Sequence, residues 1–221
     1  MSEINLVQSM HASTKRDYVQ RVVEHDKAES AAVARQWGFD YWDGERRFGY
    51  GGYHYDGRWR PLAQTLIERY SIKPGMRVLD VGCGKGYLLY EMLRIVPGLE
   101  IAGIDISRYG IENAKEETRP FLTVGNASDL PYSDYSFDLV VSLGVLHNLP
   151  LEDVWRAVSE IERVGRGTAK YVMVESFRDE REKANLLYWQ LTCLSFHNPQ
   201  TWAWIYDKCG YTGDHGFIFF E

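Results

Sequence analysis

The chain has 221 residues with 45% hydrophobic and 25% charged side chains, which are the proportions of an ordinary globular protein, and this length predicts one α/β domain with an additional lid. The net charge of −6 argues against a nucleic-acid partner, because proteins that bind DNA or RNA usually present a basic face. No apolar run is long enough for a membrane span and no secretory signal is visible, so we expect a cytoplasmic protein without a membrane partner.

The first sixty residues are predicted to form a helix and a lid. Residues 11–36 are polar with a thin apolar stripe, which predicts helix. In residues 37–60, the aromatic segment, glycines alternate with Tyr and Trp without a helical or strand period, which predicts a structured loop. We therefore divide the chain into an N-terminal helix and lid, residues 1–60, and a second unit, residues 61–221.

Beyond residue 60, short β-rich runs alternate with segments of helical periodicity. Strands are predicted at 77–81, 100–104, 121–124, 137–142 and 169–175, with a final β-like stretch at 217–220. Helices are predicted at 61–70, 87–96, 108–118, 151–164, 180–194 and 201–209. Such alternation predicts a doubly wound parallel sheet with right-handed crossovers and helices on both faces.

A glycine-rich turn follows the first predicted strand. Gly82, Gly84 and Gly86 let the backbone turn sharply and approach a ligand, which a Cβ atom would prevent. Asp105 ends the second strand about 20 residues further on, the spacing at which an acid meets a ribose diol. Because doubly wound sheets bind ligands at the carboxyl ends of their strands, these residues predict a cofactor that contains a nucleoside.

A dinucleotide cofactor is disfavoured by the glycine spacing. The dinucleotide fingerprint has glycine at its first, third and sixth positions, so that a pyrophosphate rests on the helix N-terminus. The sixth position is Tyr87 when counted from Gly82 and Leu89 when counted from Gly84. An NAD-dependent oxidoreductase therefore remains only as an alternative.

Residues 78–86, Val-Leu-Asp-Val-Gly-Cys-Gly-Lys-Gly, resemble the first motif of the class I S-adenosylmethionine (SAM)-dependent methyltransferases. Residues 125–140 resemble the family's approach to strand four, and residues 143–149 resemble the loop after that strand. The resemblance implies a Rossmann-like, seven-stranded, mostly parallel sheet with an antiparallel last strand. It also implies SAM as cofactor and S-adenosylhomocysteine as product.

The resemblance also implies the cofactor-binding residues. The glycine loop lies against the methionine part of SAM, the acid at Asp105 binds both ribose hydroxyls, and the pair Asn126-Ala127 reaches the adenine. Asp80 either organises the loop and the methionine amino group or caps the turn without touching the ligand. The complete set of cofactor candidates is Asp80, Gly82, Cys83, Gly84, Gly86, Asp105, Ile106, Asn126, Ala127 and Leu143.

Cysteine usage adds no metal to this picture. Cys83, Cys193 and Cys209 are odd in number and lack C-x-x-C spacing. They fit reduced thiols rather than a disulfide framework or a zinc site. We therefore predict no metal centre.

His147 is the candidate catalytic residue. It follows strand four, and histidine titrates near neutral pH, so it is able to take a proton from a hydroxyl or amine acceptor. The alternative is a histidine that packs against the cofactor and shapes the loop. A carboxylate acceptor would hardly need a base, because the protein chiefly aligns the reacting atoms and excludes water.

The acceptor is expected to bind to two segments that lie outside the core motifs. One is the aromatic segment, and the other follows strand five. Their candidate residues are Tyr53, His54, Arg58, Glu175 and Tyr188. The alternative is that the aromatic side chains fasten the N-terminal helix to the core.

The predicted function is methyl transfer from SAM to an oxygen or nitrogen atom of a small metabolite, such as a sugar or surface-glycan precursor. The chain as a whole resembles bacterial methyltransferases encoded with genes of that kind. The alternatives are a SAM-binding protein without catalysis and a methyltransferase acting on a protein side chain. The sequence gives no indication of whether the chain is a monomer or a homodimer.

Overall fold

The computed structural model describes residues 1–7 and 17–221. Its centre is a six-stranded sheet in the order β3-β2-β1-β4-β5-β6, and every neighbouring pair is parallel. The strands are β1 (Arg77–Val81), β2 (Glu100–Asp105), β3 (Leu122–Val124), β4 (Leu139–Leu143), β5 (Lys170–Glu175) and β6 (Asp214–Ile218). Strand order reverses between β1 and β4, which is where doubly wound sheets bind their ligands.

The helices connect these strands and precede them. They are α1 (Tyr18–Val23), α2 (Lys27–Ala34), α3 (Phe39–Trp42), α4 (Arg60–Arg69), α5 (Tyr87–Ile95), α6 (Arg108–Glu112), α7 (Leu151–Val164), α8 (Glu180–Trp189) and α9 (Pro199–Lys208). In the described part of the chain, no helix has the length and apolar character that a membrane crossing requires. Residues 11–16 of the predicted first helix lie outside the described residues.

Alternating residues of the strands bury their side chains on opposite faces of the sheet, as the twofold period of a strand requires. Val78 packs with α4 and α5 on one face, whereas Leu79 packs with α7 and α9 on the other. Both neighbours are fully buried, so the strands read as continuous apolar runs, which is typical of a parallel sheet covered on both faces.

The last strand differs from the prediction. β6 pairs in parallel with β5, from Tyr171 opposite Asp214 to Glu175 opposite Ile218, so the prediction of an antiparallel last strand is wrong. The reason is that α8 and α9 lie between the two strands, and a helical crossover delivers its strand in parallel orientation. Across residues 1–7 and 17–221 the sheet has six strands and not seven.

The second edge of β6 is covered by the start of the chain. Glu3 forms a parallel bridge with His215. The Ile4 amide donates to the His215 carbonyl at 2.7 Å, and the His215 amide donates to the Ser2 carbonyl at 3.0 Å. These bonds satisfy part of an edge that would otherwise present unpaired backbone groups.

The aromatic segment, residues 37–60, is fastened to the glycine loop by a buried ion pair. Lys85 is 3% exposed, and its Nζ atom lies 2.9 and 2.7 Å from the two carboxylate oxygens of Asp43 and 2.9 Å from the Tyr53 carbonyl. The Tyr109 hydroxyl donates to the same carboxylate at 2.8 Å. Burial alone would raise the pKa of Asp43, but these hydrogen bonds and the Lys85 charge hold it below its usual value.

We predict that Lys85→Met destabilises the protein by about 3 kcal/mol, because the Asp43 carboxylate then stays buried without its cation. Urea unfolding measures this change. Lys208→Met is the matched control, because that lysine is half exposed in its pair with Asp207 and should cost less than about 1 kcal/mol. Equal unfolding midpoints for Lys85→Met and the unaltered protein would contradict the fastening role.

Candidate active site

A first cavity opens at the carboxyl ends of β1, β2 and β4. Six of the predicted cofactor residues contribute to its wall: Gly82, Asp105, Ile106, Asn126, Ala127 and Leu143. Four aromatic side chains from the preceding segment complete it: Trp37, Tyr41, Trp42 and Tyr50. The sequence had pointed to this segment by its aromatic content, but the prediction assigned it to the acceptor and not to the cofactor.

The glycine loop forms the floor of the first cavity. At Gly82 the backbone has φ +84°, and an added Cβ would lie 2.0 Å from a methyl group of Val145. At Gly84, where φ is +53°, it would lie 2.7 Å from the Trp42 ring. The Trp42 indole, which also donates to the Ser107 hydroxyl at 2.8 Å, therefore packs directly on the loop.

Asp105 is held in the cavity wall by two backbone amides. The amide of Gly84 donates to its Oδ2 at 2.7 Å, and the amide of Ser107 donates to its Oδ1 at 2.8 Å. Burial raises the pKa of this carboxyl group, although both amides oppose the rise. Each oxygen keeps a further lone pair, with which it is able to accept a hydrogen bond from a hydroxyl group.

The other cofactor candidates lie behind the loop or within it and do not line the cavity. Asp80 is 4% exposed and Cys83 is 8% exposed. The Cys83 sulfur faces Gly103 of β2, where a Cβ would lie 2.8 Å from it. Gly86 adopts φ +67° immediately before α5, with the Thr118 side chain beside it. These residues shape the loop from below.

A second cavity adjoins the first. The two have in common Tyr41, Tyr50, Leu143, Gly144 and Asn148. Gly144 has φ +72°, and an added Cβ there would meet no atom within 4 Å. The two cavities therefore join beside a residue that places no side chain between them.

Predicted catalytic and acceptor residues converge on the second cavity. His147, Tyr53, His54, Arg58 and Glu175 all line it. Tyr188, on α8, does not line it and exposes 42% of its surface. Other lining residues were not named as candidates: Arg46, Trp189, Gln190 and Asn148, which lie in segments the sequence had indicated, and Arg21, which lies outside them.

His147 and Glu175 form a pair inside this cavity. The Glu175 amide donates to Nδ1 of His147 at 3.2 Å, and Nε2 of His147 lies 3.4 Å from the Glu175 carboxylate. Burial lowers the pKa of His147 to about 3, so the ring is neutral at physiological pH. Because Nδ1 accepts a hydrogen bond, the proton of the neutral ring resides on Nε2. Gln190 also donates to the carboxylate.

Two of the acceptor candidates in the aromatic segment, Tyr53 and Arg58, are held by neighbouring residues. The Tyr53 hydroxyl accepts from the Trp59 indole at 3.0 Å, and its ring stacks on Tyr87 with centroids 5.2 Å apart. Arg58 pairs with Asp56 at 2.6 Å. These contacts rigidify one wall of the second cavity.

Asp80 generates a prediction about stability and pH. Burial, and then the charge on Asp105, raise the pKa of Asp80 to about 8, whereas the unfolded chain releases this proton near pH 4. Between these values the folded state binds more protons, so the free energy of unfolding falls as pH rises. Between about pH 5 and pH 8, the free energy of unfolding should fall by about 1 to 4 kcal/mol more in the unaltered protein than in the Asp80→Asn variant. Urea unfolding of both proteins at the two pH values measures the difference, and equal losses would contradict it.

Two family models match the sequence. The model of a methyltransferase domain matches residues 79–173. The model of protein-L-isoaspartate (D-aspartate) O-methyltransferases matches residues 10–120. The first match runs from within β1 to within β5 and includes the carboxyl ends of β1, β2, β3 and β4, which contribute to the first cavity. The second covers the aromatic segment and the glycine loop.

Several curated relatives are methyltransferases. The demethylmenaquinone methyltransferase of Symbiobacterium thermophilum is 30% identical over 128 residues, which is 54% of this chain and 50% of the relative. The 27-O-demethylrifamycin SV methyltransferase of Amycolatopsis mediterranei is 32% identical over 112 residues, 48% of this chain and 40% of the relative. The chain thus spans half or less of the length of these two proteins.

Solved structures agree in fold. The YcgJ protein from Bacillus subtilis superposes with a TM-score of 0.56 at 22% identity, covering 66% of each chain. This likeness is evidence for the fold alone. With the glycine loop, Asp105 and Asn126 gathered at one cavity and methyltransferase models matched along the chain, the protein belongs to the class I SAM-dependent methyltransferases, whose methyl donor is S-adenosylmethionine.

Proposed function

We propose that this chain transfers the methyl group of SAM to an oxygen or nitrogen atom of a small molecule bound in the second cavity. The observation that carries the proposal is that the two cavities share wall residues and adjoin at Gly144, which has no side chain of its own to stand between them. The second cavity encloses about 380 Å³, which is within the range of small-molecule sites. A sugar or surface-glycan precursor belongs to this class of acceptor.

The first cavity suits SAM by its donor and acceptor groups. We assign the two ribose hydroxyls to Asp105, whose carboxylate is already held by two amides. Ile106 and Ala127 offer apolar contacts to the adenine, and Asn126 offers a side-chain amide. When bound, the cofactor supplies a strongly electrophilic methyl group, so the protein mainly has to align the acceptor and exclude water.

The aromatic segment acts as the lid in this proposal. Trp37, Tyr41, Trp42 and Tyr50 cover the first cavity, and the buried Lys85–Asp43 pair holds the aromatic segment in place. Removing water from the junction strengthens electrostatic contacts there and prevents wasteful hydrolysis.

Glu175 is the proposed base, and His147 is the residue that positions it. The Nε2–H group of His147 and the amide of Gln190 both face the carboxylate. When an acceptor hydroxyl or amine attacks, the new bond to the methyl carbon forms as the bond to sulfur breaks, and the proton passes to Glu175. His147 itself stays neutral throughout, because its buried ring does not accept a second proton near pH 7.

The named relatives support a small acceptor, since two of them are named for menaquinone and rifamycin precursors. A protein side-chain carboxyl group is the second candidate, because the isoaspartate methyltransferase model matches residues 10–120. In that reaction the acceptor is a carboxylate that is already deprotonated, so Glu175 would have no proton to remove.

Incubating the protein with methyl-labelled SAM and an undialysed cell extract, which retains its small molecules, separates these functions. We expect the label in the low-mass fraction, together with S-adenosylhomocysteine. Label in the protein fraction would favour the second candidate. Binding of SAM without any S-adenosylhomocysteine would indicate a binding protein without catalysis.

We predict that Asp105→Asn weakens SAM binding by about tenfold or more, because hydrogen bonds to a charged acceptor contribute roughly 1.5 to 3 kcal/mol. Isothermal titration calorimetry measures the dissociation constant. Asp129→Asn is the matched control. This aspartate lies three residues after Asn126, is exposed and does not line the first cavity. An unchanged affinity in Asp105→Asn would refute the ribose assignment.

The His147 ring should stay neutral when the pH falls from about 8 to 5, because burial lowers its pKa far below the usual value near 6.5. Nitrogen-15 NMR of labelled histidine follows this directly, and His147→Gln assigns the resonance among the six histidines. The expected spectrum is that of a neutral ring with its proton on Nε2. Titration with an ordinary pKa would restore His147 as the candidate base.

A further inference from the structure

Two arginines that line the second cavity are bound to backbone carbonyls and not to carboxylates. Arg21 donates from Nε to the Trp189 carbonyl at 2.9 Å and from Nη1 to the Arg46 carbonyl at 3.4 Å. Arg46 donates to the Gly49 carbonyl. Neither guanidinium takes part in an ion pair with any residue of the described chain, and residues 8–16 contain no Asp or Glu.

The third arginine of the cavity behaves differently. Arg58 is paired with Asp56 at 2.6 Å, and its Nε donates to the same carboxylate at 2.7 Å. Its charge is therefore already balanced. The contrast isolates Arg21 and Arg46 as the two cations of the cavity wall that lack a balancing carboxylate among the described residues.

One tryptophan fixes both guanidinium groups. The Cζ atoms of Arg21 and Arg46 lie 4.5 and 5.2 Å from the centroid of the Trp189 ring. Arg21 is on α1, Arg46 follows α3 and Trp189 ends α8, so three distant segments converge here. Burial, and then the neighbouring Arg46 charge, lower the pKa of Arg21 to about 10. Two like charges held together in this way are stabilised by an anion between them.

Guanidinium groups recognise planar and tetrahedral oxyanions through paired N–H donors. Two full positive charges match a doubly charged phosphate monoester, whereas a single carboxylate balances only one of them. We propose that the acceptor is a phosphorylated small molecule whose phosphate binds to Arg21 and Arg46. The atom to be methylated then lies at the other part of the cavity, beside Gly144 and Glu175. This assignment rests on the proposed function of the second cavity.

Calorimetry with inorganic phosphate, on protein saturated with S-adenosylhomocysteine and at constant ionic strength, tests the anion site. We expect one phosphate per chain and an affinity about tenfold or more above that of acetate. Arg21→Gln and Arg46→Gln should each weaken phosphate binding by about tenfold or more. Arg47→Gln is the matched control, because Arg47 pairs with Glu45 and does not line the cavity, and it should change the affinity by less than about twofold.

The affinity for S-adenosylhomocysteine, measured on the same variants, separates the two proposals. If all variants bind S-adenosylhomocysteine normally but Arg21→Gln and Arg46→Gln keep the phosphate affinity of the unaltered protein, the anion site is refuted and the proposed function stands. If acetate binds as tightly as phosphate, the phosphate assignment is refuted. If the unaltered protein fails to bind S-adenosylhomocysteine, the proposed function itself fails. A methylated product without phosphate in the labelled extract would also overturn the inference.

Discussion

The contact between Lys85 and Asp43 organises the rest of the site. An ammonium group that is 3% exposed is costly unless it is paired and fully hydrogen-bonded. Here its partners are both carboxylate oxygens of Asp43 and the Tyr53 carbonyl. The pair joins the glycine loop to the aromatic segment, and so it determines that Trp42 rests on Gly84 and that Tyr50 stacks on Trp42 with ring centroids 5.4 Å apart.

Charge is distributed unevenly around the two joined cavities. The first has the Asp105 carboxylate in its wall, which suits a cofactor with a cationic sulfonium and amino group. The second combines the Glu175 carboxylate near the junction with two arginines around Trp189. In our proposals, this arrangement draws the anionic part of the acceptor away from the junction and leaves its nucleophile beside the methyl group.

Local patterns predicted the elements that carry a strong period. The predicted bounds of β1 and α7, residues 77–81 and 151–164, are those of the structure, since apolar residues recur there without competing signals. The direction of β6 was missed because it was taken from the family resemblance, and the short apolar stretch 217–220 contains no information about strand orientation. The predicted helix 180–194 ends at Trp189 instead, since the Gln190 backbone is extended and its side chain reaches Glu175.

The first cavity could be anticipated from the sequence because its glycine loop, Asp105 and Asn126 follow successive strands and must meet at one edge of the sheet. The environment of the second cavity could not. Arg21 and Trp189 are 168 positions apart in the chain, and only tertiary packing brings them together. The neutral state of His147 likewise depends on complete burial and on an amide 28 positions away, which no local pattern encodes.

The central claim is that donor and acceptor meet at Gly144. A crystal structure of the protein with S-adenosylhomocysteine tests it most directly. We expect the sulfur atom beside Gly144 and facing the second cavity, the ribose hydroxyls on Asp105, and Trp42 still packed on Gly84. A sulfur atom directed away from Gly144, or an adenosine bound outside the first cavity, would contradict the proposed path of the methyl group.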